Sequence, residues 1–286
     1  MRRRLLFTSA LSAIPAFLIA CLFAPSLAFA ELPALSGSLS QKGSILQGGL
    51  ITAQLPDGAT ATLDNKSLMI SANNHIAFGF HRDDSAPQML QITLADGRVM
   101  LTRLTPQKRN YKTQSITGLA GKYVSPPQKV LDRIATDRAN VATARDALSR
   151  QDDFAKNGFD WPLRGTITGV YGSQRILNGK PRAPHYGIDI AAPKGAPVTA
   201  PADGIVTLAD DLYYTGGTLI IDHGLMISST LLHLETLSVA LGDKVTRGMV
   251  IGTVGSTGRS TGPHLDWRIN WHQKRLDPEL AALISK

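Results

Sequence analysis

Short alternating runs of apolar residues, separated by turn-forming pairs, constrain the fold of this chain more than any other feature. Between residues 37 and 116 the runs fall at 49–53, 59–63, 67–70 and 89–94, with turn pairs such as Asp57-Gly58, Asp64-Asn65 and Asp96-Gly97. Alternation with a period of two places every second side chain on one face of a strand, and regular turns favour antiparallel pairing. We therefore predict a small antiparallel β domain over residues 31–120.

The second half of the chain repeats this pattern, with a glycine at nearly every junction. The predicted strands lie at residues 165–170, 198–209, 217–222, 226–232, 249–254 and 265–271. Short, regularly spaced strands of this kind are typical of all-β domains. The predicted fold class is therefore mainly β, with a second domain over residues 161–286.

One segment has the pattern of a helix instead. Pro126 and Pro127 precede a stretch at about residues 128–155 that is rich in Arg and Asp. Its apolar positions recur at helical spacing and form one stripe: Val130, Ile134, Val141 and Leu148. We expect this helix, in a linker over residues 121–160, to connect or brace the two β domains, with its charged residues facing solvent.

The first thirty residues have the organisation of an export signal. Arginines at positions 2–4 precede an uncharged stretch over residues 5–30, which ends in Ala28-Phe29-Ala30. A basic start, an apolar middle and small residues at the −3 and −1 positions are typical of a secretory signal peptide. We predict a signal peptide over residues 1–30, cleavage after Ala30 and a mature protein in the periplasm.

Two other interpretations of this stretch stay open. An uncharged stretch of this length can span a bilayer as a retained anchor, although Pro15, Pro25 and the Ala-x-Ala end argue against one. The tetrapeptide Leu18-Ile19-Ala20-Cys21 resembles the lipobox of bacterial lipoproteins, in which the cysteine is acylated and becomes the new N-terminus. Against that interpretation, the apolar run continues past Cys21. If no anchor is retained, the mature protein would be held at the membrane only through lipidation of Cys21.

Composition excludes several classes of protein. A single cysteine in 286 residues rules out an internal disulfide framework and a cysteine zinc finger. The formal charge of +8 includes the three arginines of the export signal, and without them 27 basic residues face 22 acidic ones. That modest excess, the absence of a concentrated basic face with aromatic residues, and the predicted export argue against nucleic acid as a partner.

Histidines and carboxylates cluster late in the chain. His185 and Asp189 lie four residues apart where a loop enters a strand, and His264 and Asp266 lie two apart on a predicted strand. Each spacing places both side chains on the same face. His233 ends another apolar run. From spacing alone, a zinc-type site of imidazole and carboxylate ligands and a set of unrelated turn histidines both stay open.

The remaining four histidines are expected to have structural positions, and for His75 and His81 the sequence offers no acidic or thiol partner at metal-ligand spacing. We expect His75 and His81 to be structural or exposed, His223 to lie in a turn, and His272 to lie at a strand end.

Ordered motifs carry a more specific signal than spacing. They are Arg175-Ile176-Leu177-Asn178-Gly179, Pro184-His185-Tyr186-Gly187-Ile188-Asp189, Asp222-His223-Gly224, His233-Leu234, Gly242-Asp243-Lys244-Val245 and residues 255–265. In this order and spacing, the segment from Trp161 to about Pro278 resembles the lysostaphin/LytM-type zinc endopeptidases of bacterial peptidoglycan. The resemblance implies an open β-sandwich with a groove, of the duplicated hybrid motif type. The part before it resembles, more loosely, the N-terminal region of Gram-negative periplasmic members.

The resemblance also implies roles for individual residues. One zinc ion would be bound by His185, Asp189 and Asp266. His264 would act as the general base, and His233 would hydrogen-bond the oxyanion of the tetrahedral intermediate. Members of the family have a His-x-His pair where this chain has His264-Leu265-Asp266, so the chain departs from the pattern at one ligand.

The implied substrate is the peptide cross-link between peptidoglycan stem peptides. The side chains expected to contact it flank the site: Arg175, Asn178, Tyr186 and Arg268. Because of the replaced ligand, an alternative function is a catalytically weak or inactive domain that binds peptidoglycan or activates another cell-wall hydrolase as its partner. In a third interpretation, the N-terminal β domain docks to a partner or covers the groove.

Overall fold

The computed structural model describes residues 41–118, 121 and 126–282. The predicted export signal and Cys21 therefore lie outside the described residues. Strands dominate the described ranges, and the few helices are short. The prediction of a mainly β protein is confirmed.

The N-terminal strands form two small antiparallel sheets, ordered β1-β2-β5 and β4-β3-β6-β7. The strands are β1 (Gln41–Gly43), β2 (Leu50–Gln54), β3 (Thr60–Leu63), β4 (Lys66–Ser67), β5 (His75–Gly79), β6 (Gln88–Thr93) and β7 (Val99–Leu104). The run predicted at 67–70 differs, because only its first residue belongs to a strand. Leu68 is nevertheless buried in the core of this region, so its apolar character serves packing outside a strand.

Most strands of the second half join one large sheet, whose main path runs β17-β14-β15-β16-β19-β12-β9. Its strands are β9 (Thr166–Gly169), β12 (Ile188–Ala191), β13 (Pro197–Thr199), β14 (Gly204–Leu212), β15 (Gly216–Gly224), β16 (Ile227–Leu237), β17 (Lys244–Val245), β18 (Val250–Val254), β19 (His264–Trp271) and β20 (Lys274–Leu276). The strand predicted at 198–209 is split around Pro201, which has no N–H to donate to a ladder.

The two faces of this sheet have different chemistry. On β19 the odd-numbered residues Leu265, Trp267 and Ile269 are buried in the main hydrophobic core, together with Ile188 and Ile190 of β12. Because side chains alternate along a strand, Asp266, Arg268 and Asn270 lie on the opposite face. We call this opposite face the groove face.

The predicted linker helix is shorter than expected. A 3₁₀ turn at Gln128–Val130 leads into the linker helix proper, Leu131–Arg145, and a second short helix follows at Asp153–Asn157. The linker helix packs through Val141 and Ala144 against Leu208, Leu212 and Ile220 of β14 and β15. Leu148, predicted on the apolar stripe, lies beyond the helix and is exposed. No helix in the described ranges has the length and apolar composition needed to cross a bilayer.

The N-terminal region is also joined to the second half by strand pairing. Strand β8 (Thr113–Ile116) pairs in parallel with β10 (Gln174–Leu177), and β10 forms a hairpin with β11 (Lys180–Pro181). Ion pairs join Arg109 to Asp277 and Lys274 to Asp84. The described residues accordingly belong to one compact unit.

Asp152, which lies between the two helices, connects the linker to the N-terminal region through hydrogen bonds. Its carboxylate accepts hydrogen bonds from Ser71 Oγ at 2.8 Å and Asn73 Nδ2 at 2.9 Å, and it lies 2.9 Å from Nδ1 of His75. Burial would raise the pKa of Asp152, but the hydrogen bonds from Asn73, His75 and Ser71 outweigh burial and lower it. The ionised carboxylate is therefore the form that the folded protein stabilises.

We expect Asp152→Ala to lower the free energy of unfolding by about 2–3 kcal/mol, because it removes several hydrogen bonds to one charged group. A depressed pKa stabilises the fold fully above the ordinary aspartate pKa of about 4, and this contribution is lost as the pH falls through the folded-state pKa. Urea unfolding at pH 7 and pH 3 would measure both effects. Asp132→Ala, at an exposed position of the linker helix, is the control. Equal midpoints for the two variants at pH 7 would contradict the prediction.

Candidate metal centre and groove

Three side chains with metal-ligand chemistry meet where β12 and β19 lie side by side. His185 precedes β12, Asp189 lies on β12, and Asp266 lies on β19. One nitrogen or oxygen atom from each lies within 4.8 Å of those of the other two, and all three residues are buried. The structure thus brings together the three residues that the resemblance implies as ligands.

The register of the two strands makes Asp189 and Asp266 direct cross-strand partners. Like charges in such a pair destabilise a sheet unless cations compensate them. Arg175 Nη2 lies 2.5 Å from Asp189 Oδ2. Arg268 donates to both oxygens of Asp266, from Nε at 3.0 Å and from Nη2 at 2.6 Å. Each carboxylate therefore has a guanidinium partner of its own.

Several polar atoms at this point are buried without a hydrogen bond. Among the described residues, none pairs with Nδ1 or Nε2 of His185 or with Oδ1 of Asp189. His185 Nε2 lies 3.0 Å from Asp189 Oδ1, but the two atoms are not aligned for a hydrogen bond. Buried polar atoms in native proteins nearly always have a partner. An imidazole nitrogen and a carboxylate oxygen at this separation fit two ligands of one divalent cation such as zinc.

Both carboxyl groups are held in the ionised form. Burial alone would raise the pKa of each. At Asp189 the charge of His185, assisted by that of Arg175, outweighs burial and lowers the pKa. At Asp266 the charge of Arg268, followed by that of His185, holds the pKa below its ordinary value. Both groups are therefore in the form that binds a metal ion at neutral pH.

His264 and His233 lie beside the three candidate ligands, with their ring centres 4.8 Å apart. Nδ1 of His264 lies 2.8 Å from the carbonyl oxygen of Gly262, and Nδ1 of His233 lies 2.8 Å from that of Thr257. Because a carbonyl oxygen only accepts, each Nδ1 carries a proton, and in the neutral form of either ring the lone pair lies on Nε2. His264 Nε2 lies 3.9 Å from Asp189 Oδ1.

This tautomer limits what His233 can do. Burial, followed by repulsion from His264, lowers the pKa of His233 to about 4, so the ring is neutral at pH 7. A neutral His233 accepts at Nε2 and can donate to an oxyanion only after it has taken up a proton. The backbone of His233 departs from regular strand geometry, with a φ of 65°. Its N–H donates to the carbonyl oxygen of Thr215.

The four expected substrate contacts have different positions. Arg175 and Arg268 bind the ligand carboxylates, with 16% and 20% of their side-chain surface exposed. Asn178 has a positive φ in the turn of the β10–β11 hairpin. The Tyr186 ring lies 5.4 Å from the ring of His81, which belongs to the N-terminal region.

Two glycines make room for the carboxylates. A Cβ atom at Gly187 would overlap Oδ1 of Asp266, and one at Gly169 would overlap Oδ2 of Asp189. Any other residue at either position would displace a candidate ligand.

The other histidines lie away from these ligands. His75 is buried against Asp152, and His272 follows β19 with a positive φ. The turn predicted for His223 is wrong, because His223 is fully buried in β15. There its ring contacts the carbonyl oxygen of Asp203 and the hydroxyl of Ser229.

The pairing of Arg175 and Arg268 with the ligand carboxylates was not predicted from the sequence, which indicated both only as substrate contacts. For Arg268 a signal was present, since it follows Asp266 by two residues on one strand and therefore lies on the same face. For Arg175 no such signal exists, because it reaches Asp189 from a different strand.

Comparison with known proteins gives a consistent result for the second half of the chain. Residues 183–278 match the model of a protein family described as Peptidase family M23. The peptidoglycan DD-endopeptidase ShyA of Vibrio cholerae is 44% identical over 87 residues, which is 30% of this chain and 20% of that protein. The DD-carboxypeptidase/endopeptidase Mpg of Neisseria meningitidis is 43% identical over 99 residues, 35% of this chain and 23% of that protein. The matched segments thus span about a fifth to a quarter of these curated relatives.

A solved structure extends the similarity to most of the chain. The crystal structure of a Pseudomonas aeruginosa protein assigned to peptidase M23 superposes with a TM-score of 0.65 at 27% identity, covering 85% of this chain and 96% of the other. The shared sequence segment contains all three candidate ligands and both neighbouring imidazoles. The resemblance found in the sequence is confirmed, and the chain carries a domain of peptidase family M23 at residues 183–278.

Proposed function

We propose that this protein is a zinc-dependent endopeptidase that hydrolyses peptide cross-links of peptidoglycan in the periplasm. The observation that carries the proposal is the set of buried donor atoms on His185, Asp189 and Asp266, beside two imidazoles with unprotonated Nε2 atoms. Relatives named as peptidoglycan DD-endopeptidases support the substrate class. The predicted export signal over residues 1–30 supports the compartment.

In this proposal His185, Asp189 and Asp266 bind one zinc ion. A bound zinc ion polarises the scissile carbonyl group and lowers the pKa of water. Asp266 replaces a neutral imidazole, but Arg268 compensates the added negative charge. The Asp266–Arg268 pair therefore presents an oxygen ligand of nearly the same net charge as histidine.

The two imidazoles move and hold protons. His264 accepts the proton of the attacking water at Nε2 and then delivers it to the leaving amine, while Gly262 fixes its tautomer. His233 accepts a hydrogen bond at Nε2, which orients the water. Its own proton is held at Nδ1 by the carbonyl oxygen of Thr257, so His233 has none at Nε2 to donate to the oxyanion, and its proposed role is to orient the water.

We propose that the N-terminal region over residues 31–120 braces the groove. Arg82 Nε donates to the carbonyl oxygen of Gly172 at 2.6 Å, and β8 extends the hairpin that carries Arg175. To act as a lid over the groove, this region would have to break these contacts.

We expect removal of metal by a chelator to reduce hydrolysis of cross-linked muropeptides at least 100-fold, because the three ligands alone supply no Lewis acid. One equivalent of zinc should restore activity. Mass spectrometry of the new peptide termini and metal analysis of the purified protein measure both quantities. Full activity in protein shown to be free of metal would contradict the proposal.

One observation favours the alternative of a non-catalytic module. Both oxygens of Asp266 are already hydrogen-bonded to Arg268, which would suit an inactive domain that binds peptidoglycan or activates another hydrolase. Purified protein that contains no zinc, releases no new termini and still sediments with peptidoglycan would support that alternative.

A further inference from the structure

We propose that the linker helix and the groove face together form a binding pocket for a free carboxylate of the peptide substrate, with Arg145 and Arg275 as its ligands. The choice of a peptide carboxylate rests on the proposed function. The pocket itself follows from the position and burial of the two arginines, and from the lack of an acidic partner for either of them among the described residues.

The pocket is a cavity of about 250 Å³ between the linker helix and the sheet. Ile134, Val141 and Arg145 line it from the helix. Tyr214, Thr215, Gln273 and Arg275 line it from the second half of the chain. The carbonyl oxygen of Thr215 accepts from the backbone N–H of His233, so one wall of the cavity is joined directly to the candidate active site.

The pocket also lies on the same face of the sheet as the metal ligands. Thr230 of β16 is the cross-strand partner of Arg268, and a nitrogen of Arg145 lies 3.5 Å from the Thr230 hydroxyl. Asp266, Arg268 and Asn270 follow one another on the groove face, and each is about 7 Å along the strand from the next. The candidate metal centre and the pocket therefore share one face of the sheet.

Arg145 is a buried cation with no counter-ion among the residues that the structure describes. Only 5% of the residue is exposed, and within the described chain its Nε has no hydrogen-bond partner. Burial lowers the pKa of Arg145 well below its ordinary value, and repulsion from Arg275 and Arg268 lowers it further. An unpaired buried charge of this kind is strongly destabilising, so its presence points to a ligand that compensates it.

Two carboxylates near Arg145 contact other groups. Asp137, which lines the cavity, accepts from the backbone N–H of Tyr213 at 2.7 Å. Asp146, next to Arg145 in the chain, lies 2.8 Å from Nδ1 of His272. Neither forms an ion pair with Arg145.

Arg275 adds a second guanidinium to the same cavity. Its Nη1 donates to the side-chain oxygen of Asn270 at 2.7 Å, a neutral acceptor. Burial, followed by repulsion from Arg268, lowers the pKa of Arg275 to about 10. These two guanidiniums are buried, and a third, of the exposed Arg138, also lines the cavity. Such a cluster favours an anion, and the planar fork of arginine matches a carboxylate in a bidentate arrangement.

Binding of matched synthetic peptides tests the pocket. The probes are a cross-link product peptide with free carboxylates, the same peptide amidated at its C-terminus, and the same peptide amidated at its side-chain carboxyl group. Isothermal titration with the zinc-loaded protein should show at least tenfold weaker binding of one amidated peptide, which identifies the carboxylate bound. Equal affinity for all three peptides would overturn the proposal.

Arg145→Met is the decisive variant, because methionine keeps much of the volume and removes the charge. We expect it to abolish the preference for the free carboxylate and to raise the melting temperature. A purely structural arginine would give the opposite thermal shift. Arg133→Met, which removes an exposed arginine of the same helix, should change neither quantity. A preference retained in Arg145→Met, or lost together with a lower melting temperature, would overturn the proposal.

Arg275→Gln tests the pocket if Arg145→Met does not fold. We expect it to reduce the preference for the free carboxylate at least tenfold, and an unchanged preference would overturn the proposal. Hydrolysis assayed in parallel separates this inference from the proposed function. A free-carboxylate preference without hydrolysis supports the pocket and rejects the endopeptidase, whereas hydrolysis without the preference rejects only the pocket.

Discussion

Replacing His264 by alanine is expected to reduce hydrolysis of cross-linked muropeptides by about three orders of magnitude while zinc stays bound. The Nε2 lone pair of His264 lies beside the candidate ligands, and loss of a general base costs about 100- to 10,000-fold in rate. His264 is not one of the three clustered donors, so zinc affinity should change little. Turnover measured with zinc titration gives both numbers.

The matched control is His272→Ala, which removes a half-exposed histidine just after β19. It should leave both activity and zinc content unchanged. Loss of zinc in His264→Ala would show that His264 is a ligand and that base and ligand have been exchanged. Retention of more than a tenth of the activity would exclude His264 as the general base.

Replacing Asp266 by asparagine is expected to have the second large effect, on both zinc binding and stability. The substitution replaces one of the two carboxylates among the three candidate ligands by a neutral amide, so zinc affinity should fall at least 100-fold. It also leaves Arg268 without its counter-charge, and breaking a buried ion pair from one side costs about 3–5 kcal/mol. Zinc titration and urea unfolding of the metal-free protein measure the two effects separately.

A second substitution separates the two roles of Asp266. In Asp266→Asn with Arg268→Met no unpaired cation is left, so we expect most of the lost stability to return while zinc affinity stays low. Recovery of zinc binding in the double variant would show that Asp266 only neutralises Arg268. Unchanged zinc affinity in Asp266→Asn alone would lead to the same conclusion and would favour the non-catalytic alternative.

Local pattern was enough to predict the strand-rich fold. Alternation along β19 separated Leu265 and Trp267 from Asp266, and that alternation is a property of any half-buried strand. The ordered motifs around His185 and His264 identified the family because they are contiguous in sequence. The linker helix was predicted to continue to residue 155, but it ends at Arg145. Leu148, the next position of the predicted apolar stripe, is exposed, and the buried residues Phe154 and Ala155 belong to a separate short helix.

Tertiary structure alone decided how the residues of the site act on one another. Register placed Asp189 opposite Asp266, and register is set by long-range pairing that no local period contains. Backbone carbonyls of Gly262 and Thr257 fixed the histidine tautomers, and a carbonyl has no signature in sequence. The sequence by itself determined which ligands, imidazoles and arginines the chain offers. Folding determined which charges face each other, because electrostatic energy depends on separation in space and on burial.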